Sequence, residues 1–162
     1  MFGSVCSVHG YAHRYRAWGP VVLRVVLGVI LAVHGSQKLF GAFEGPGIDG
    51  TVMFFSTLGI APAAFWAWVV ALVEFAGGIL LILGALTSVA AVLIAINMTV
   101  ALVTVHWERG FFVGQGGYEF VLILIAVAIS LLITGPGKFA VDEYVCKLWC
   151  KGKSDKSMTP TL

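Results

Sequence analysis

Four stretches of this chain are apolar for long enough to cross a lipid bilayer, and nothing else in the sequence constrains its fold as strongly. A spanning helix needs roughly 20 predominantly apolar residues. The runs cover residues 18–40, 63–86, 88–107 and 118–134, the last close to the lower limit of about 17. Their apolar residues are continuous, not alternating, which argues against strands of a membrane barrel. Composition agrees. Only 11% of the 162 residues are charged and 59% are apolar, against roughly 25% charged in soluble domains. A net charge of +2 gives no reason to expect a nucleic-acid partner.

Each span boundary has a chemical cause. Pro20 and Pro62 fall in first turns, where a missing N–H costs little. Gly84 and Thr87 frame a turn so short that spans two and three must be antiparallel neighbours. Gly114, Gly116 and Gly117 interrupt the chain before span four, and Gly135, Pro136 and Gly137 stop it afterwards. Trp18, Trp107 and Tyr118 lie at span ends, as interfacial aromatics do.

The expected fold is therefore an all-α, antiparallel four-transmembrane-helix bundle. Arg14 and Arg16 precede span one, and Lys138, Lys147, Lys151, Lys153 and Lys156 follow span four, so the positive-inside rule places both termini in the cytoplasm. The chain divides into an N-terminal segment 1–17, a transmembrane domain 18–137 and an amphipathic tail 138–162. No A-x-A-like cleavage site follows the first apolar run, so span one is expected to remain as an anchor. The loop after span one turns from polar to apolar. A short interfacial helix over residues 51–58 would cap the bundle or act as a substrate lid.

Charges inside the spans carry the functional information. An Asp, Lys or Arg at a helix centre costs about 2.5–3.5 kcal/mol on insertion scales, so such groups face a protein interior or a wet cavity. Arg24, His34 and Lys38 occupy span one, Glu74 span two, His106 the end of span three and Glu119 the start of span four. At about 100° per residue, Arg24, Lys38 and His34 share one side of their helix, which must face the bundle. Signs and depths suggest Glu74 as partner of Arg24 or His34, and Glu119 as counter-ion of Lys38. Asn97 and Thr104, seven residues apart, would add hydrogen bonds from one face of span three. Arg24 and Glu74 could equally be a structural pair that fixes register. His34, Lys38 and Glu119 read as a site for a small polar or quinone-like headgroup, able to pass protons. His34, His106 and Glu119 would make only a minimal metal set, with no H-x-x-x-H spacing, and no metal is expected. Gly77 and Gly78 read as positions of close helix approach. Cys146 and Cys150 share a face of the tail helix. With Cys6 they read as free thiols in a reducing compartment, a redox or metal role being the alternative.

Five strings occur together in order: L-R-x-x-L-G at residues 23–28, H-G-S-Q-K-L-F-G at 34–41, E-F-A-G-G-I-L-L-I-L-G at 74–84, G-G-Y-E at 116–119 and T-G-P-G-K-F-A-V-D at 134–142. Their order and spacing resemble the DoxX family of small four-helix membrane proteins. The resemblance implies a four-helix bundle with cytoplasmic termini, and it draws Arg24, His34, Lys38, Glu74 and Glu119 into motif positions. It also implies association with membrane oxidoreductase and quinone-handling systems. The expected role is an oxidoreductase-associated subunit in the plasma or inner membrane of a prokaryote, more than a complete enzyme. Quinone is its expected ligand, with no covalently bound cofactor. Lipid and protein subunits are its expected partners, and a homo-oligomer is open. A purely structural accessory subunit and a small-solute carrier are the alternatives. No nucleotide or flavin fingerprint is present.

Overall fold

The computed structural model describes residues 16–147, and among these every regular element is helical. Helix α1 (Gly19–Phe40) starts with Pro20 in its first turn and stops at Gly41, whose left-handed φ of 68° closes the last turn. Helix α2 (Gly47–Thr57) falls where a short helix over residues 51–58 is expected. It begins four residues early because Pro46 presets the entry and Asp49 complements the helix N-terminus. Helix α3 (Ala63–Leu83) ends at Gly84, again left-handed. Helix α4 (Thr87–Ala101) continues through a π-helical turn (Leu102–His106) and a 3-10 turn (Trp107–Arg109). Helix α5 (Glu119–Thr134) has 16 residues, fewer than the 23 of the continuous segment Thr87–Arg109. A last helical segment occupies 141–147.

Three of these segments, Gly19–Phe40, Ala63–Leu83 and Thr87–Arg109, are long and apolar enough to cross a membrane. The apolar α5 packs beside them, chiefly on α4, while α1 packs chiefly on α3. Leu27, Leu31, Leu81, Ile94, Met98, Leu124 and Leu131 form the core between them. Outward faces are also apolar: Val22, Val26, Ile96, Val103, Ile123 and Ile133 are all exposed. Water would not tolerate so much contiguous apolar surface, whereas lipid does.

Small residues set the α1/α3 register. A methyl group on Gly28 would lie 2.6 Å from the Gly78 carbonyl oxygen, and one on Gly78 would run into the backbone of Ala32. The glycine pair at 77–78 thus splits its work. Gly78 admits α1, and Gly77 admits Ile94 of α4 at 3.3 Å. Contact this close gains dispersion energy where lipid supplies no hydrophobic drive between helices.

One end of the molecule is tied by backbone. Lys138 donates its N–H to the Ala17 carbonyl (3.3 Å), and Asp142 donates its N–H to that of Gly84 (3.0 Å). This gathers the start of α1, the end of α3, the start of α4 and the segment after α5. At the other end, Tyr118 and Glu119 donate to the carbonyls of Gly110 and Phe111, both at 3.0 Å, and Trp107 stacks on Tyr118 at 5.4 Å. Of the cysteines, Cys146 is exposed, while Cys6 and Cys150 lie outside the described residues, as does the tail beyond residue 147.

Candidate functional site

The intramembrane charges separate into two clusters at opposite ends of α1. Fourteen residues part Arg24 from Lys38, or about 21 Å of helix.

At the tied end, Arg24 is 2% exposed. Its Nη2 donates to the carbonyls of Lys138 (3.1 Å) and Phe139 (2.8 Å). It does not meet Glu74. The glycine register sets Arg24 beside Gly84, and Glu74 lies ten residues back along α3, about 15 Å away. Asp142 completes this end. Leu86, at the N-cap of α4, has no side-chain acceptor to offer. Asp142 supplies one from 56 residues away, taking the N–H of Leu86 on Oδ1 (2.7 Å) and that of Thr87 on Oδ2 (2.8 Å). Burial pushes the Asp142 carboxyl up. Hydrogen bonds from Thr87 and Leu86 and the charge of Arg24 outweigh it, and hold the group below its ordinary value. Trp18 packs on Phe139 at 5.5 Å, with the Lys138 ammonium 5.8 Å over its ring.

At the other end, Lys38 pairs with Glu74, which is 4% exposed. Asn97 donates from Nδ2 to the second oxygen of Glu74 at 3.3 Å. The counter-ion of Lys38 is therefore Glu74 and not Glu119. As the first residue of α5, Glu119 turns its Oε1 back to accept the Val113 N–H at 2.6 Å and pins the loop between α4 and α5. His106 bonds through Nδ1 to the Gly116 carbonyl at 2.7 Å. Asn97, Lys38 and Glu74 form one group; Arg24 and Glu119 belong elsewhere.

Beside that group opens a cavity of about 840 Å³. Helix α2 roofs it with Thr51, Phe54 and Phe55, so the short helix both caps the bundle and covers the cavity. Its walls are mostly apolar, including Leu31, Trp66, Val70, Met98 and Phe120. The polar side chains lining it are His34, Lys38, Thr51, Glu74, Asn97, Thr104 and His106. His34 is exposed as well as cavity-lining. An apolar chamber with a few convergent polar groups is the usual form of a small-molecule site. The π-turn at Leu102–His106 belongs to its wall, and such turns recur at functional sites because they re-aim side chains. Sequence reading gave no role to the side chain of Thr51, to the π-turn or to Asp142, which closes the string at 134–142. Only Asp142 left a trace, since a turn ending in Leu86 needs a cap from elsewhere. Among the described residues, no three His, Cys, Asp or Glu side chains gather closely enough to hold a metal ion.

The helices, the apolar exterior and the paired interior charges define an integral membrane protein. Residues 19–107 match the DoxX family model, and the chain belongs to that family. It is similar to the Bacillus subtilis protein named "Putative oxidoreductase CatD", at 36% identity over 129 residues, which cover 80% of this chain and 88% of that one. An uncharacterized membrane protein of Mycobacterium tuberculosis is 32% identical over 145 residues, covering 81% and 85%. The Escherichia coli inner membrane protein YphA is 35% identical over 142 residues, covering 80% and 96%. With its membrane-length helices, this kinship makes the chain an integral inner-membrane protein. No solved structure matches it.

Proposed function

We propose that this protein is a membrane subunit of an oxidoreductase system and that its cavity binds a quinone-class molecule. The observation that carries the reading is the cavity of about 840 Å³, mostly apolar but lined also by His34, Lys38, Thr51, Glu74, Asn97, Thr104 and His106. A ring with oxygen substituents and an apolar body fits such a lining. The similarity to a protein whose name includes oxidoreductase supports the redox setting. In this reading Lys38, Glu74, His34 and His106 contact the headgroup, and Glu119 and Arg24 hold the two ends of the protein in shape.

The proposal includes four spans with both termini cytoplasmic. Residues 118–119 are bonded beside 110–111, and Asp142 is bonded to 86–87. The chain from α5 to Asp142 thus covers the same depth as Thr87–Arg109, although α5 has only 16 residues. Arg16, Lys138 and Lys147 lie at the tied end, which the positive-inside rule turns to the cytoplasm.

Equilibrium dialysis of the full chain in nanodiscs against a short-chain ubiquinone, in both redox forms, tests the binding. Saturable binding is expected for the parent, with Kd raised about tenfold, roughly 1.4 kcal/mol, in His34→Ala and Glu74→Gln. Kd unchanged in both variants, with melting temperature lowered, would instead make the polar group a packing device of an accessory subunit.

A further inference from the structure

The polar side chains of the cavity have mostly spent their hydrogens on the protein itself. Thr51 Oγ1 donates to the Gly47 carbonyl (2.7 Å), and Thr104 Oγ1 donates to that of Val100 (2.8 Å). A carbonyl only accepts, so both hydroxyls are committed as donors and keep lone pairs alone. The same logic fixes His106. Its Nδ1 faces the Gly116 carbonyl and must carry the hydrogen, so the neutral ring has its lone pair on Nε2. Glu74 only accepts, so the Asn97 amide nitrogen faces it and Asn97 Oδ1 is left as an acceptor. The donors that remain are the other hydrogens of Lys38, the second amide hydrogen of Asn97, the indole N–H of Trp66 and the ring N–H of His34. Lys38 is already neutralised by Glu74, so the site offers no surplus cation to an anion.

Resting on the quinone-class reading above, we infer that the cavity selects the reduced, dihydroxy form of its ligand over the dione. A hydroxyl group donates to an acceptor such as His106 Nε2 or Thr104 Oγ1 and still accepts from Lys38 or Asn97. A quinone carbonyl can only accept. It serves Lys38 and leaves the acceptors of the buried Thr51 and the half-buried His106 with nothing to receive. Buried polar groups left unpaired are the strongest source of discrimination between otherwise isosteric ligands. A preference of about tenfold or more is the expected scale.

The test compares three probes of one skeleton against the full chain in nanodiscs, without oxygen: a short-chain ubiquinol, its quinone and the bis-methyl ether of the quinol. The ether keeps the ring and the oxygens but cannot donate. The quinol is expected to bind about tenfold tighter than either of the others. His106→Phe keeps a ring in place without the lone pair, and should bring quinol and quinone within about twofold. Thr104→Val removes an acceptor at nearly constant volume and serves where His106→Phe does not fold. Equal or tighter binding of the quinone overturns the inference but leaves the binding site standing. So does an ether that binds like the quinol, or a preference unchanged in both variants. Absence of binding by all three probes overturns the inference and the quinone-class reading together.

Discussion

Lys38 and Glu74 neutralise each other where neither could remain alone. Removing one partner of a buried pair leaves an uncompensated charge, at a cost of about 3–5 kcal/mol, whereas replacing both can be nearly neutral. Lys38→Met should therefore destabilise strongly, and the double variant Lys38→Met/Glu74→Gln should recover most of the loss. Denaturant or thermal unfolding in detergent reads both. Asp142 makes a different prediction. Its carboxyl is held below the ordinary value of 3.8, so the stability it contributes is complete above that pH and is lost as pH falls through the lower folded value. Asp142→Ala should cost about 1–2 kcal/mol at neutral pH, the scale of a lost helix cap. The gap to the parent should close below pH 3.8 as the parent's own carboxylate protonates, which melting curves along a pH series would follow. At this scale the sequence identified which residues were expensive, because the cost of a charge in a span depends on residue type and depth alone. It did not identify their partners. Opposite signs at similar depth paired Arg24 with Glu74 and Lys38 with Glu119, and neither pair forms.

Among the helices, pairing follows from how closely backbones approach. Gly28 and Gly78 leave no room for a side chain between α1 and α3. Gly78→Leu should force the two helices apart, at a cost of about 1–3 kcal/mol or more. Gly114→Ala is its control, since a methyl group there meets nothing within 4 Å and should change stability by less than about 0.5 kcal/mol. Midpoints of unfolding for the two variants, measured in the same detergent, check the contrast. Helix ends were legible from Pro20, Pro62 and Gly84, because proline and glycine act through local backbone geometry. The π-turn after Ala101 was not legible. An i→i+5 turn has no composition of its own and reflects how α4 meets the loop before α5 through His106 and Gly116.

For the whole molecule, four of the strings singled out in the sequence contact one another in pairs, and the fifth ties the loop before α5. L-R-x-x-L-G delivers Arg24 to the carbonyls of T-G-P-G-K-F-A-V-D. H-G-S-Q-K-L-F-G delivers Lys38 to the Glu74 of E-F-A-G-G. G-G-Y-E receives His106 on Gly116 and turns Glu119 onto Val113. The proposed topology makes a prediction here. Single cysteines at Glu44 and Gly114, in a chain stripped of its own three, should react with a membrane-impermeant thiol reagent from outside intact cells. One at Lys147 should react only after permeabilisation, and labelling from outside there would reverse the orientation. By itself the sequence determined that the chain is all-helical and lives in a membrane, roughly where its helices begin and end, and which side chains are too polar for lipid. Those properties follow from apolar length, backbone-breaking residues and transfer cost, all local to the chain. Only the tertiary structure decided that Arg24 ties one end and Lys38 meets Glu74, and that a roofed cavity opens beside that pair. These depend on the register between helices, which the approach of Gly28 to Gly78 sets across 50 residues of sequence.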